Sequence, residues 1–172
     1  MGHKHSDGRE LLPWFKLLTV SDSHYIRGYT VGEYWLSRYD QGEAVRFLRD
    51  GFTSNPSSFQ LHLVLSQILL KVQQDASNDD VTSIGELSEI HQEARVLAER
   101  AAELALRQWT PGNPDGSSAW SYYDKNDALA CFYQAVLTEQ KYGSPQKAIQ
   151  KARIYLSFVG TNAVLERLAQ AP

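Results

Sequence analysis

The chain has 172 residues, of which 42% are hydrophobic and 11% aromatic, enough for one domain with a substantial core. Its net charge of −3 and its scattered lysines and arginines form no basic patch, so nucleic acid is not an expected partner. The single cysteine, Cys131, excludes an intrachain disulfide, and its apolar neighbours indicate a small buried side chain.

The spacing of apolar residues predicts an all-α protein. Residues 1–7 are polar and are predicted to be disordered, followed by a single helical domain over 8–172. Apolar residues at three- and four-residue spacing predict helices at about 10–18, 24–38, 40–53, 57–74, 84–108, 124–141, 145–158 and 162–169. Sustained alternation with a period of two residues, which would indicate strands, is missing.

Several helix boundaries carry capping residues. Asp40 and Glu43 resemble a capping box at the start of the third helix. Asn55–Pro56 is predicted to cap and open the fourth helix, with proline at its first position. Ser144–Pro145 is predicted to open the seventh helix, and Gly160 is predicted to end it.

Two segments rich in polar residues and helix breakers interrupt the helices. Residues 75–80 are predicted to be a mobile loop, and residues 110–118 are dense in proline and glycine. The aromatic residues near the second segment are Trp109, Trp120, Tyr122 and Tyr123. They are interpreted as covering helix ends, with a protruding contact surface as the alternative.

The helices pair as about 24–53, 57–108 and 124–159, and the first pair carries a recognisable pattern. Its residues are Val31, Gly32, Trp35, Ala44, Leu48 and Pro56. The spacing resembles that of the tetratricopeptide repeat (TPR) family, and the chain is similar to bacterial repeat proteins of unassigned role. The resemblance implies antiparallel helix pairs stacked as a short right-handed superhelix, with Gly32 and Ala44 small so that two helices can touch. The third pair departs from the pattern, with Glu139 in an aromatic slot.

The first predicted helix looks like the second helix of an earlier repeat whose first helix is missing. Trp14, Leu17 and Leu18 would then be partly uncovered. Either another chain covers them or the sequence is part of a longer protein, and the second interpretation is favoured. A separate reading of the tryptophans places Trp14 and Trp35 in the core.

The family resemblance implies a binding groove formed by the first helix of each pair, which holds an extended peptide. The implied groove residues are Tyr29, Glu33, Leu36, Gln60, Gln67, Lys71, Tyr133 and Gln140, with Leu137 among them. Tyr29 and Glu33 occupy the first two slots of the carboxylate clamp that chaperone-binding members use. Because Glu33 would repel a carboxylate, that role is not expected. A solvated helix face without a partner is the alternative interpretation.

The sequence favours binding over catalysis. It contains no phosphate-binding loop, no nucleophile motif and no metal-ligand motif, so no enzyme activity, catalytic residue, metal or cofactor is expected. The leading hypothesis is a protein-interaction scaffold with a protein or peptide partner. The alternatives are a self-assembling structural subunit, as a homo-oligomer, and more distantly an enzyme or ligand-binding helical bundle.

The expected location follows from the absence of long apolar runs. No stretch approaches the ~18 to 20 apolar residues of a membrane helix, and the first residues lack the apolar segment of a signal peptide. The chain as written is therefore expected to be soluble and cytoplasmic, without membrane insertion. Its location stays open if it is a fragment of an anchored or exported protein.

Overall fold

A computed structural model describes residues 9–76, 84–109 and 122–170. A 3-10 turn at Arg9–Leu11 is followed by α1 (Leu12–Ser21), α2 (Ile26–Leu36), α3 (Gln41–Ser54), α4 (Phe59–Ala76), α5 (Ile84–Gln108), α6 (Tyr122–Tyr142), α7 (Pro145–Val159) and α8 (Ala163–Gln170). These ranges contain no strand, which confirms the all-α prediction. The predictions for residues 1–7 and 110–118, and for most of 75–80, lie outside the described residues.

Capping residues account for several of the helix boundaries. Asp40 is the N-cap of α3, and its Oδ1 accepts the backbone N–H of Glu43 at 2.8 Å. Ser144 caps α7 in the same way, accepting the N–H of Lys147 at 3.4 Å. Gly160 ends α7 with φ of 79°, a backbone conformation that glycine adopts without strain. The predicted starts of α3 and α7 and the predicted end of α7 are confirmed. The second half of the capping box at α3 does not form, because the Asp40 N–H donates to the carbonyl of Leu36 and the Glu43 carboxylate pairs with Lys16.

The predicted start of α4 is wrong. The helix begins at Phe59, and Pro56 lies in a turn before it. The Asn55 side chain instead bonds at the end of α3, where its Nδ2 donates to the carbonyl of Gly51 at 3.0 Å. The same Nδ2 donates to the carbonyl of Ser23 at 2.7 Å. Ser58 takes the capping role, and its Oγ accepts the N–H of Leu61 at 3.3 Å.

The helices pack in two rows. Each helix contacts the next along the chain, and α2 also contacts α4, α4 contacts α6, and α6 contacts α8. The even-numbered helices therefore form a continuous row on one side of the molecule, with α1, α3, α5 and α7 packed against it. This row positions the residues predicted to bind a partner.

The core consists of two clusters that meet along α4 and α5. The first joins α2, α3 and α4 to the first half of α5, and the second joins the rest of α5 to α6, α7 and α8. Five alanines of α5 are fully buried, namely Ala94, Ala98, Ala101, Ala102 and Ala105. Their small side chains let α4 and α6 approach the α5 backbone closely.

Gly32 and Ala44 are both buried, and the surroundings of Gly32 leave no room for a side chain. A Cβ atom at Gly32 would lie 2.7 Å from the ring of Phe47 on α3 and 3.1 Å from Cβ of Phe15 on α1. Ala44 on α3 is completely buried. A larger side chain at Gly32 would therefore push α2 away from its neighbours.

Cys131 is a buried core residue, as predicted. Its Sγ lies 3.9 Å from the carbonyl oxygen of Phe59, and burial raises the pKa of the thiol. A thiol held protonated is a poor nucleophile, so this cysteine contributes packing. Over the described ranges, no helix combines the length and the apolar character that crossing a membrane requires.

His62 is buried on α4 and makes the stability depend on pH. Its Nδ1 lies 2.8 Å from the carbonyl oxygen of Ser58, and its ring packs on Phe52 at 4.6 Å between centroids. Burial lowers the pKa of His62, and the charge of Arg100 lowers it further, against the opposing hydrogen bond to Ser58. The folded state therefore binds fewer protons than the unfolded state between the folded pKa and ~6.5.

Acidification should destabilise the protein through this histidine. The contribution is intact above about pH 6.5 and is lost as the pH falls toward the folded pKa, by at most ~1.4 kcal/mol per pH unit. We expect His62→Gln to unfold in urea with a weaker pH dependence than the wild type between pH 5.5 and 7.5. Parallel curves for the two proteins would show that His62 does not titrate as inferred.

Candidate partner-binding surface

The even-numbered helices carry the candidate site on their solvent side, which we call the even face. It comprises Glu33 of α2, Gln60, Gln67 and Lys71 of α4, and Tyr133, Leu137 and Gln140 of α6. All seven are among the groove residues predicted from the sequence, and their side chains lie at or near the surface.

Helical spacing places the three α4 residues in one stripe. Gln60, Gln67 and Lys71 are separated by seven and four residues, so their side chains project from the same side of the helix. Gln67 and Lys71 are exposed. Gln60 is half-buried near the start of α4, where its Oε1 accepts a hydrogen bond from Ser58 Oγ at 3.2 Å. The exposed end of the stripe therefore offers an amide and an ammonium group.

Glu33 of α2 and Lys71 of α4 lie close enough for their charges to interact. Glu33 is half-buried, and burial raises the pKa of its carboxyl group, partly opposed by the Ser37 hydroxyl and the Lys71 charge. The carboxylate thus lies within the field of the lysine without full hydration. This junction presents both a hydrogen-bond acceptor and a cation to a molecule lying across the two helices.

On α6, one residue of the site is packed against the core and hydrogen-bonded, and two are exposed. Tyr133 packs against the second core cluster, and its hydroxyl accepts a hydrogen bond from Asn162 Nδ2 at 2.8 Å. Asn162 also caps α8 by accepting the N–H groups of Val164 and Leu165. Leu137 and Gln140, one and two turns further on, are exposed. The accessible groups on α6 are therefore an apolar side chain and an amide.

Tyr29 and Leu36 are core residues, contrary to the sequence prediction. Tyr29 points toward α3, with its ring 5.1 Å from that of Phe47 and against Gly51, and burial raises the pKa of its hydroxyl group. Leu36 is buried in the same cluster. The two positions are seven residues apart and share the side of α2 that faces α3, so neither side chain is available to a partner on the even face.

A contact between α4 and α6 was missed in the sequence. Gln134 Nε2 on α6 lies 3.5 Å from Ser66 Oγ on α4, and Ser66 in turn donates to the carbonyl of Ala94 at 2.9 Å. These polar groups connect three helices beneath the even face. The sequence did hold a signal for this contact, since Ser66 and Gln134 stand in otherwise apolar stretches. Buried polar side chains need hydrogen-bond partners, so such residues indicate a polar contact between helices.

A separate cavity of about 400 Å³ opens between α1 and α3, with Tyr29 at its floor. Its charged lining consists of Lys16, Glu43, Arg46 and Asp50. Lys16 and Glu43 form an ion pair from one helix to the other. Because two cations and two carboxylates line it, the cavity favours neither sign of ligand charge.

The chemistry of the even face suits binding to a chain with unpaired backbone groups. The amides of Gln67 and Gln140 each donate and accept hydrogen bonds, and Leu137 offers an apolar contact. Within the described ranges, no group of three or more histidine, cysteine, aspartate or glutamate side chains could hold a metal ion. Comparison with known proteins gives no matching family model, no matching curated protein and no matching solved structure.

Proposed function

We propose that this protein is a non-enzymatic interaction scaffold that binds a peptide or partner protein on the even face. The observation that carries the proposal is the unbroken row of contacts from α2 through α4 and α6 to α8. Such a row supplies an extended surface to which several helices contribute one stripe each. We also propose that α2–α3, α4–α5 and α6–α7 are TPR-like pairs in a short right-handed superhelix, supported by the close approach at Gly32 and the buried Ala44.

The accessible side chains indicate how a partner would be held. Gln67 and Gln140 can satisfy backbone N–H and C=O groups of an extended segment, which has no internal partners for them. Leu137 can contact one apolar side chain of the segment, and Lys71 an acidic group or a carbonyl. Glu33 disfavours a carboxylate near α2.

Removing the α4 stripe should weaken binding. We expect peptides selected from a random displayed library on the wild-type protein to bind Gln67→Ala/Lys71→Ala at least ~10-fold more weakly, a loss of ~1.4 kcal/mol. Fluorescence polarisation with a labelled selected peptide measures the affinity. The variant should fold normally, because both side chains are exposed.

A matched pair of residues on α7, outside the even face, provides the control. Gln150 and Arg153 on α7 are likewise an exposed glutamine and an exposed cation on one helix. Gln150→Ala/Arg153→Ala should retain wild-type affinity for the same peptide. Equal losses in both double variants, or none in the first, would exclude the α4 stripe as the binding surface.

A further inference from the structure

The cavity between α1 and α3 has the size and the mixed lining of a small-molecule site. Its volume of about 400 Å³ lies within the ~300–1,000 Å³ that such sites occupy. The uncharged part of its lining consists of Thr19 and Val20 of α1, Tyr29 of α2 and Phe47 of α3. Two aromatic rings, an aliphatic side chain and two hydroxyl groups therefore lie between the charged residues.

Contacts within the protein fix both walls of the cavity. Phe15 and Thr19 hold α1 against α2, since each comes within 3.1 Å of the position that a Cβ would take at a glycine of α2. Lys16 pairs with Glu43, which ties α1 to α3 at one end of the cavity. The cavity is therefore defined by packing and by an ion pair that joins two helices.

The opposite side of α1 carries apolar side chains that face away from the cavity. Trp14 is 64% exposed and Leu17 55%, and Leu18 is also exposed. The expectation that these three residues are uncovered is confirmed, whereas the interpretation of Trp14 as a core residue is wrong. The polar side of α1, not this apolar one, meets α3.

Two of the four charged groups in the lining are free. Lys16 and Glu43 neutralise each other, whereas neither Arg46 nor Asp50 forms an ion pair with another described residue. Arg46 precedes Asp50 by one helical turn, and a basic residue before an acidic one is the less favourable order for pairing within a helix. One cation and one carboxylate are thus left next to each other on α3.

The two free charges attract groups of opposite sign at different ends of the cavity. Burial raises the pKa of the Tyr29 hydroxyl group, and the charges of Asp50 and Asp22 raise it further, partly opposed by hydrogen bonds with two hydroxyl groups. Asp22 ends α1, where the helix dipole is also negative. This end of the cavity therefore attracts a cationic group, and Arg46 attracts an anionic group one turn away.

We propose that the cavity binds a small zwitterion, an α-amino acid with an apolar side chain. Its carboxylate pairs with the planar guanidinium group of Arg46, and its ammonium group pairs with Asp50. The two charges of an amino acid are joined through one carbon atom, so they can reach both partners, whose Cβ atoms lie ~5–6 Å apart on the helix. The apolar side chain contacts Phe47 and Val20. A ligand without net charge also matches the balanced charges of the lining.

Matched ligands test which groups the cavity recognises, independently of the even face. Titrations of the isotope-labelled full chain, followed by NMR, measure affinity and locate the site from the amide shifts of Thr19, Val20 and Asp50. Free phenylalanine should bind with a Kd below ~1 mM. Phenethylamine lacks the carboxylate and 3-phenylpropionate lacks the amine, so each should bind at least ~10-fold more weakly. N-acetylphenylalanine amide represents a peptide segment, and equally tight binding of this compound would overturn the proposal.

Substitutions should separate the two charges. Arg46→Gln should weaken phenylalanine binding at least ~10-fold and leave phenethylamine binding unchanged, because phenethylamine has no carboxylate. Asp50→Asn should weaken phenylalanine binding by a similar factor and leave 3-phenylpropionate binding unchanged. Both residues are exposed, so the amide spectra should show that the variants fold like the wild type.

Arg49→Gln provides the control, since Arg49 is an exposed arginine of the same helix that pairs with Glu93 of α5 at 2.7 Å, outside the cavity. This variant should bind phenylalanine as the wild type does. Equal losses in Arg46→Gln and Arg49→Gln would overturn the proposal. So would shifts that map outside the cavity, or a wild-type protein that does not bind phenylalanine at ~10 mM.

Discussion

Replacing Glu139 by glutamine should lower the free energy of unfolding by ~3–5 kcal/mol, because it breaks a buried ion cluster. Glu139 is 2% exposed. Its Oε1 accepts the N–H of Ser144 at 3.0 Å, and its Oε2 accepts from Lys151 Nζ at 3.1 Å. Arg95 Nη1 lies 3.3 Å from both oxygens. One carboxylate thus connects α5, α6 and α7.

The size of the effect follows from what would remain after the substitution. Burial alone would raise the pKa of Glu139, but the Ser144 N–H, Lys151 and Arg95 together lower it. The surroundings therefore stabilise the charged form more than burial destabilises it. Glutamine keeps the shape but leaves two partly buried cations without their shared counter-ion. Arg95 already has a buried Nε with no hydrogen-bond partner.

Glu99 supplies the control, since its carboxylate also pairs with Lys151, at 2.9 Å, but is about half exposed. Glu99→Gln should change stability by less than ~1 kcal/mol, as is usual for surface ion pairs. Urea denaturation at pH 7 measures both variants. A loss of under 1 kcal/mol in Glu139→Gln would mean that the cluster contributes no more than a surface pair.

The same cluster has a pH signature. The pKa of Glu139 is lower in the folded state than in the unfolded state, so its contribution is complete above the unfolded value of ~4.3. It is lost as the pH falls through the folded pKa. Acid unfolding of Glu139→Gln should therefore depend less on pH in this range than that of the wild type.

Features set by neighbouring residues were predictable from the sequence. The caps at Asp40 and Ser144 and the stop at Gly160 depend on side chains within three residues or on a single backbone conformation. The start of α4 could not be predicted in this way, because Asn55 and Ser58 are both residue types that cap helices. The carbonyl of Ser23, distant in sequence, accepts from Asn55 and helps to decide between them.

In the candidate site, too, only the features that depend on local spacing could be predicted from the sequence. Helical spacing was enough to place Gln67 and Lys71 on one stripe of α4. The burial of Tyr29 and Leu36 depends on which side of α2 faces α3. The spacing of residues within α2 does not reveal that side. Glu139 was visible in the sequence as a departure from the repeat pattern. Its reason, an ion cluster with Arg95 and Lys151, depends on residues 44 and 12 positions away.

Replacing Gly51 by valine should destabilise the protein by ~3 kcal/mol and lower the melting temperature by roughly 6–12 °C. A Cβ at Gly51 on α3 would lie 2.6 Å from Cγ and Cδ1 of Tyr29. That ring is buried and packs beside Phe47. Helix propensity alone gives the opposite sign, since glycine is less favourable in a helix than valine, by less than ~1 kcal/mol.

The steric term should win because the atoms that clash belong to the inner end of the Tyr29 side chain, which backbone and core packing hold in place. Gly42→Val is the matched control on the same helix. Gly42 is exposed, and the nearest heavy atom to its Cβ position is Asp40 Oδ1 at 3.3 Å, so we expect a change within ~1 kcal/mol. Tyr29→Leu should partly rescue Gly51→Val by removing the ring. If the double variant shows only the sum of the two single losses, contact between these residues is not the cause.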